Sequence, residues 1–186
     1  MIVLVLYFFL LAAPMTQAAD EESPKEVEAW FKKLSHKKQK LTKIQFYSHN
    51  LLMGSSRTSA PVAQANTTAS SPTLFGLVNI MDIPLTAGPE PSSKPMGRAQ
   101  GLYASASQET TIFHGMNLLF TYGKYNGSSL AVLGHNVESH KYRELPIVGG
   151  SGAFRLARGS VIFKSYSYDI AAGIAILEIN VVAQHY

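Results

Sequence analysis

Five polar side chains stand in or beside otherwise apolar segments, and they are the residues of this chain best suited to hold a guest molecule. Asn50 ends one such segment, Arg98 and Tyr103 lie in another, and Asn136 and Arg143 flank a polar stretch. Burying an amide, hydroxyl or guanidinium without a partner is costly. These side chains therefore either satisfy one another inside a core or face a ligand. Together they offer hydrogen-bond donors and acceptors to a ligand. They include no carboxylate, so the set is better suited to orienting a ligand than to moving its protons.

Other chemistries lack their residues. Ser, His and Asp all occur, but no Gly-x-Ser-x-Gly elbow falls between a strand and a helix. Gly149-Gly150-Ser151-Gly152 reads instead as a tight strand connection, where glycine supplies positive φ and close approach. The histidines show no metal spacing: His135 and His140 share a loop, and His36, His49, His114 and His185 stand alone, as structural or surface groups. No glycine loop opens a helix to cradle phosphate, so neither a metal nor a nucleotide cofactor is expected. With no cysteine, thiol chemistry and disulfides are excluded. The net charge of +4 is uneven, because seven of the 16 basic residues precede residue 44. Beyond that point no basic face is interleaved with aromatics, and no nucleic-acid partner is expected.

The elements that must position the polar set follow from periodicity. Residues 1–18 read as a signal peptide: Ile2–Ala13 is apolar but too short to span a bilayer, and Thr16-Gln17-Ala18 supplies small residues for cleavage. No later stretch is long enough for a span, and the mature chain is expected in the extracellular space. Residues 19–41 form a basic arm in which Ser23-Pro24-Lys25-Glu26 has the form of a capping box. Val27, Trp30, Phe31 and Leu34 follow as one stripe of a short helix expected to lean on the domain.

From Thr42 to Tyr186 the period changes to two. Candidate strands are 42–48, 74–81, 97–106, 111–122, 129–134, 143–148, 153–168 and 174–184, with a bend or bulge expected at Gly159. Turns fall at Ser71-Pro72, Pro84 to Pro95, Gly123 to Gly127 and Ala171-Ala172-Gly173. Both faces of the last two strands are largely apolar, as a barrel packed inside and outside requires, or a covered sandwich. Asn66-Thr67-Thr68 and Asn126-Gly127-Ser128 are glycosylation sequons, and Asn126-Gly127 suits a type I′ hairpin turn.

Longer blocks carry a resemblance. Phe46-Tyr47-Ser48-His49-Asn50, Ser71-Pro72-Thr73-Leu74-Phe75-Gly76, Pro84-Leu85-Thr86, Gly97-Arg98-Ala99-Gln100-Gly101-Leu102-Tyr103 and Val148-Gly149-Gly150-Ser151-Gly152 resemble, in order and spacing, the signature blocks of plant dirigent proteins. Asn126-Gly127-Ser128-Ser129 and Arg143-Glu144-Leu145-Pro146 look like the dirigent-like branch, similar to pterocarpan synthase-type members. The resemblance implies an all-β fold, an eight-stranded antiparallel β-barrel, assembled as a homodimer or homotrimer in the apoplast. It also implies no oxidative centre. Such proteins take phenolic radicals made by an external oxidase (a laccase or peroxidase), or quinone methides, and fix the stereochemistry of coupling or ring closure. Arg98, Tyr103 and Arg143 match positions at or near the family pocket. Asn50 stands where the family block usually has aspartate, and Asn136 where the lignan-forming branch has a second one. Both keep a hydrogen-bonding group and lose a carboxylate.

Three functions are thus expected in turn. The first is a non-redox protein directing phenoxy-radical coupling or quinone-methide capture in lignan-type phenylpropanoid metabolism. The second is an isoflavanol dehydratase and cyclase, for which Glu178 would supply an acid if it faced the lumen. The third is a cell-wall or lignin-patterning protein using its lysine-rich arm.

Overall fold

The computed structural model describes residues 22–186, so the signal segment lies outside the described residues. The described residues open with helix α1 (Pro24–Lys32), whose capping box is complete: Ser23 Oγ accepts from the Glu26 N–H, and the Glu26 carboxylate accepts from the Ser23 N–H. No residue of α1 is buried. Its stripe leans on the domain through Trp30, over which the Arg155 guanidinium sits 4.8 Å from the ring centre.

Nine strands follow: β1 (Lys40–Leu51), β2 (Ser59–Ala63), β3 (Val78–Thr86), β4 (Pro95–Ala104), β5 (Ile112–Phe120), β6 (Ser129–Asn136), β7 (Arg143–Ser151), β8 (Arg158–Asp169) and β9 (Ile174–His185). All pairings are antiparallel, in the order β1-β9-β8-β7-β6-β5-β4-β3. Tyr47–Thr86 and Ser48–Leu85 pair β1 with β3 and close eight strands into a barrel, with His49 Nε2 and Thr86 Oγ1 2.6 Å apart across the seam. Short β2 pairs with β3 where β1 has left it. The barrel decides between the two sheet architectures that alternation left open.

Several boundaries differ from the sequence expectation for local reasons. The strand expected at 74–81 begins only at Val78, because Leu74 and Gly76 take positive φ in a turn. It also runs through Pro84, where the sequence pattern predicts a turn. Asp82 donates its N–H to Thr58 on the β2 side, so Pro84, two residues on, turns its nitrogen the same way. Residue 84 lies past the last β2 rung and before the first β1 rung, where a missing N–H forfeits no ladder bond. Gly149–Ser151 belong to β7 rather than to a connection, and Gly152 (φ +58°) opens a 3₁₀ turn that drives Phe154 into the barrel. A side chain at Gly150 would place Cβ 2.5 Å from the Phe154 carbonyl oxygen. Asn126 has φ −49° and ψ 135°, Gly127 φ +77°, and the Ser128 N–H donates to the Tyr125 carbonyl at 2.9 Å. This is a type II turn, not type I′.

The bulge expected at Gly159 lies instead at Ser165–Ser167, with Tyr166 as the extra residue. Gly159 serves a close approach: its φ is +143°, and a Cβ there would meet the Val182 carbonyl oxygen at 2.0 Å. The bulge changes which face β8 presents. Val161, Phe163 and Ser165 point inward, and beyond it Tyr168, paired with Ala175, does so in place of Ser167.

One end of the interior is solid. Phe46, Phe120, Phe154, Leu85, Leu118, Leu130 and Leu145 are all buried there. Phe154 plugs this floor, with ring centres 5.3 Å from Phe120 and 4.7 Å from Tyr125.

Candidate functional site

The other end is hollow. A cavity of about 450 Å³ opens there, within the range of sites that hold small organic ligands. Its body is apolar: Met81, Ile83, Ala99, Met116, Leu177 and Ile179 come from the inward positions of β3, β4, β5 and β9. The strict alternation of those strands delivers every second residue to the lumen. Polar groups enter toward the mouth, where the same alternation reaches the strand ends.

Four of the five polar residues singled out in the sequence line this one cavity: Asn50, Tyr103, Asn136 and Arg143. Asn50 Nδ2 donates to Ser48 Oγ at 3.1 Å and to the Ala175 carbonyl at 3.0 Å. Tyr103 OH donates to Ser59 Oγ at 3.3 Å. Arg143 is 7% exposed, and its Nη2 donates to Ser165 Oγ at 3.3 Å. The fifth, Arg98, is corrected. Its neighbours Gly97 and Ala99 point inward, so alternation turns Arg98 to the outer wall, where it pairs with the Asp82 carboxylate and donates to the Asp82 carbonyl at 3.0 Å. Glu178 is corrected likewise: Leu177 and Ile179 take the lumen, and Glu178 faces outward to Lys164 at 3.2 Å.

The further residues of the site include His114 and Glu138. His114, read as a lone structural histidine, points into the cavity from β5, with its ring edge-on to Tyr103 at 5.6 Å and to Phe163 at 6.3 Å. The alternation Ile112, His114, Met116, Leu118, Phe120 would have placed it inward, had the apolar face been followed. Glu138 lies in the loop after β6, where no periodicity applies, and it is the one carboxylate among the described residues lining the cavity.

Three buried polar atoms in this wall have no protein partner: His114 Nδ1, Asn136 Oδ1 and Arg143 Nε. Native interiors leave few such groups unsatisfied. Burial, with a smaller contribution from the Arg143 charge, pushes His114 down to about 4, so its imidazole is neutral near neutral pH. Burial also lowers the Arg143 guanidinium, against the pull of Glu138. Arginine nevertheless keeps its charge in proteins. Glu138 stands at the mouth with much of its surface in solvent, yet the rim withdraws enough water to raise its carboxyl above the usual range, against the opposing influence of Arg143. The arrangement is an apolar chamber with one cationic, hydrogen-bonding pole and a single acid beside it.

A hollow antiparallel barrel with this pole defines a β-barrel protein with a lined internal cavity. The family model for dirigent-like proteins matches residues 41–184, and the chain belongs to that family. It is 46% identical over 151 residues to dirigent protein 21 of Arabidopsis thaliana, covering 81% of this chain and 80% of that protein. It is 43% identical over 155 residues to pterocarpan synthase 1 of Glycyrrhiza echinata, covering 82% of each. A solved structure of a pterocarpan synthase dirigent protein superposes with a TM-score of 0.74 at 43% identity, covering 81% of this chain and 87% of that one.

Proposed function

We propose that this dirigent-family protein holds a phenolic quinone methide in its cavity and fixes the face on which that intermediate is captured. The observation that carries the reading is the trio of unpartnered polar atoms, His114 Nδ1, Asn136 Oδ1 and Arg143 Nε, around an otherwise apolar space. A quinone methide is an apolar ring system ending in a carbonyl oxygen with phenolate character. Arg143 Nε–H donates to that oxygen and stabilises its negative charge, while Asn136 Oδ1 accepts from a neighbouring hydroxyl. The cavity walls then leave one face of the ring open to the incoming hydroxyl, which is control by positioning. The similarity to pterocarpan synthases supports ring closure within one molecule over coupling of two radicals.

The test runs two reactions side by side. An isoflavanol is incubated with the protein and no oxidant, and coniferyl alcohol is incubated with the protein and a laccase. Chiral chromatography follows both. The expected result is a single-handed ring-closed product from the isoflavanol. Product ratios identical to protein-free controls in both reactions would overturn the proposal.

We further infer an exported homo-oligomer. Asn66 and Asn126 are exposed, as glycan acceptors must be. Ile80, Leu102 and Leu133 stand exposed in one cross-strand row of the outer wall, an apolar surface suited to self-association. Light scattering of the purified protein at the mass of a single chain would remove the oligomer.

A further inference from the structure

We propose that Glu138 is the proton donor and acceptor of this cavity, the residue that lets the barrel make its quinone methide as well as hold it. The inference rests on the quinone-methide reading above and adds the step that generates the intermediate.

The other cavity residues cannot perform this proton transfer. Asn50 and Asn136 are amides, which neither give nor take a proton at neutral pH. Arg143 stays a cation and serves as a hydrogen-bond donor. His114 is neutral over the working range and too weakly basic to carry a proton to a leaving group. Tyr103 and Tyr168 offer phenolic hydroxyls, which are hydrogen-bonding groups and not carboxylic acids. Among the described residues lining the cavity, that leaves one group of suitable acidity, Glu138.

Its placement fits the task. Glu138 follows Asn136 by two residues, so the end of β6 brings an amide into the wall and the loop beyond brings a carboxyl to the mouth of the same chamber. It forms no ion pair or hydrogen bond with a side chain of the described residues, although Arg143 lies close enough for its charge to be felt. An unengaged carboxyl raised by partial desolvation keeps its proton to higher pH than a solvated one, which is how a general acid is tuned.

The substrate class is a benzylic alcohol whose ring hydroxyl is conjugated with the carbinol carbon and which carries a second hydroxyl able to reach that carbon. First, the ring hydroxyl gives its proton to water and its electrons form the ring C=O, with the oxygen held at Arg143. The benzylic C–O bond breaks as Glu138 protonates the departing hydroxyl, and water leaves. Second, the other hydroxyl forms a C–O bond to the same carbon and gives its proton to the Glu138 carboxylate, while the ring oxygen regains a proton from water. One water is lost, nothing is oxidised or reduced, and Glu138 ends as it began.

The test uses the intact protein with Glu138→Gln and Glu138→Asp, and two substrates: an isoflavanol bearing a free 2′-hydroxyl and the acetate ester of its benzylic hydroxyl. Glu138→Gln is expected to lower kcat on the alcohol by about 10²- to 10⁴-fold. Glu138→Asp is expected to recover part of that loss. The acetate departs without protonation, so Glu138→Gln should lose markedly less on it than on the alcohol, keeping only the cost of the missing base in ring closure. The rate on the alcohol should fall as pH rises through the raised Glu138 value, and that limb should vanish in Glu138→Gln. The other ionisable groups lining the cavity are Tyr103, His114, Arg143 and Tyr168, and all are retained in both variants. Equal rates on the alcohol for Glu138→Gln and the unaltered protein would overturn the role of Glu138 and leave the quinone-methide reading standing. An equal loss on alcohol and acetate would reduce Glu138 to a positioning residue and overturn its role as proton donor. No conversion of either substrate by the unaltered protein would overturn both.

Discussion

The two ends of the barrel interior obey the same alternation and reach opposite results. At the floor, inward positions carry Phe46, Phe120, Leu118, Leu130 and Val181, sealed by Phe154 from the turn after β7. The polar groups there are mutually engaged: Thr42 Oγ1 lies 2.9 Å from His185 Nε2 and accepts from Tyr125 OH at 3.5 Å. His185 Nδ1 lacks a partner, but His185 is not among the residues that line the cavity. At the mouth, shorter or polar residues, Ser48, Ala99, Asn136 and Ser165, leave the strands unable to fill the lumen, and polar atoms face the space that results. Packing is thus concentrated in one half of the barrel and the cavity in the other. The unsatisfied pole costs stability where a packed core would have gained it, a trade expected of functional sites.

The sharpest way to break that division is at the floor. Phe154→Ala is expected to destabilise the protein by about 3–5 kcal/mol, because a fully buried ring is lost from a packed cluster. Urea denaturation measures it. A loss below about 1 kcal/mol would mean that the floor is not the stabilising half.

Next in size is a pH effect from the mouth. The folded-state value of His114 lies at about 4, below its ordinary value of 6.5. Between those values the unfolded chain binds a proton that the folded chain refuses, so stability falls as pH drops from about 6.5 to about 4 and is fully present above that window. The loss attributable to His114 is up to about 3 kcal/mol. Denaturation midpoints across the window should show it, and His114→Phe should flatten the profile. A slope unchanged in His114→Phe would place the acid sensitivity elsewhere.

Arg143→Met separates the two halves most directly. It removes a buried cation that has one long hydrogen bond, so stability is expected to stay level or rise by about 1–2 kcal/mol. Stereoselective product formation should nevertheless fall by about 100-fold or more, as for loss of a preorganised donor. Calorimetry and chiral chromatography on the same preparation check both. Unaltered handedness and rate would remove Arg143 from the site.

The smallest expected effect is the control on the outer wall. Arg98→Ala loses an exposed ion pair to Asp82 and should cost less than about 1 kcal/mol, with product handedness unchanged. A change of handedness would mean that the outer wall communicates with the lumen.

Much of this division was legible before folding, and the exceptions have particular causes. Tyr103, Asn136 and Arg143 could be picked out because each interrupts or borders an apolar segment, and they do share one cavity. Arg98 failed because motif membership carries no facing: in β4, five residues from Tyr103, it falls on the opposite side of the pleat. His114 was overlooked because a single histidine on a strand reads as structural until its face is fixed. Tyr168 changed sides through the bulge at Ser165–Ser167, and the one-residue slip has no composition signal. Glu138 sits in a loop, where periodicity says nothing about which way a side chain points.

By itself the sequence settled the antiparallel strands, the capped helix, the absence of thiol chemistry and the polar residues worth watching, because these depend on composition, local propensity and a period of two. The tertiary structure decided that eight strands close, that one end is plugged by Phe154, and that Glu138 and His114 meet the amide and guanidinium groups around one cavity. Closure, bulge and loop placement are relations between residues far apart in the chain. No local pattern encodes them, because they are fixed only when every strand has found its partners.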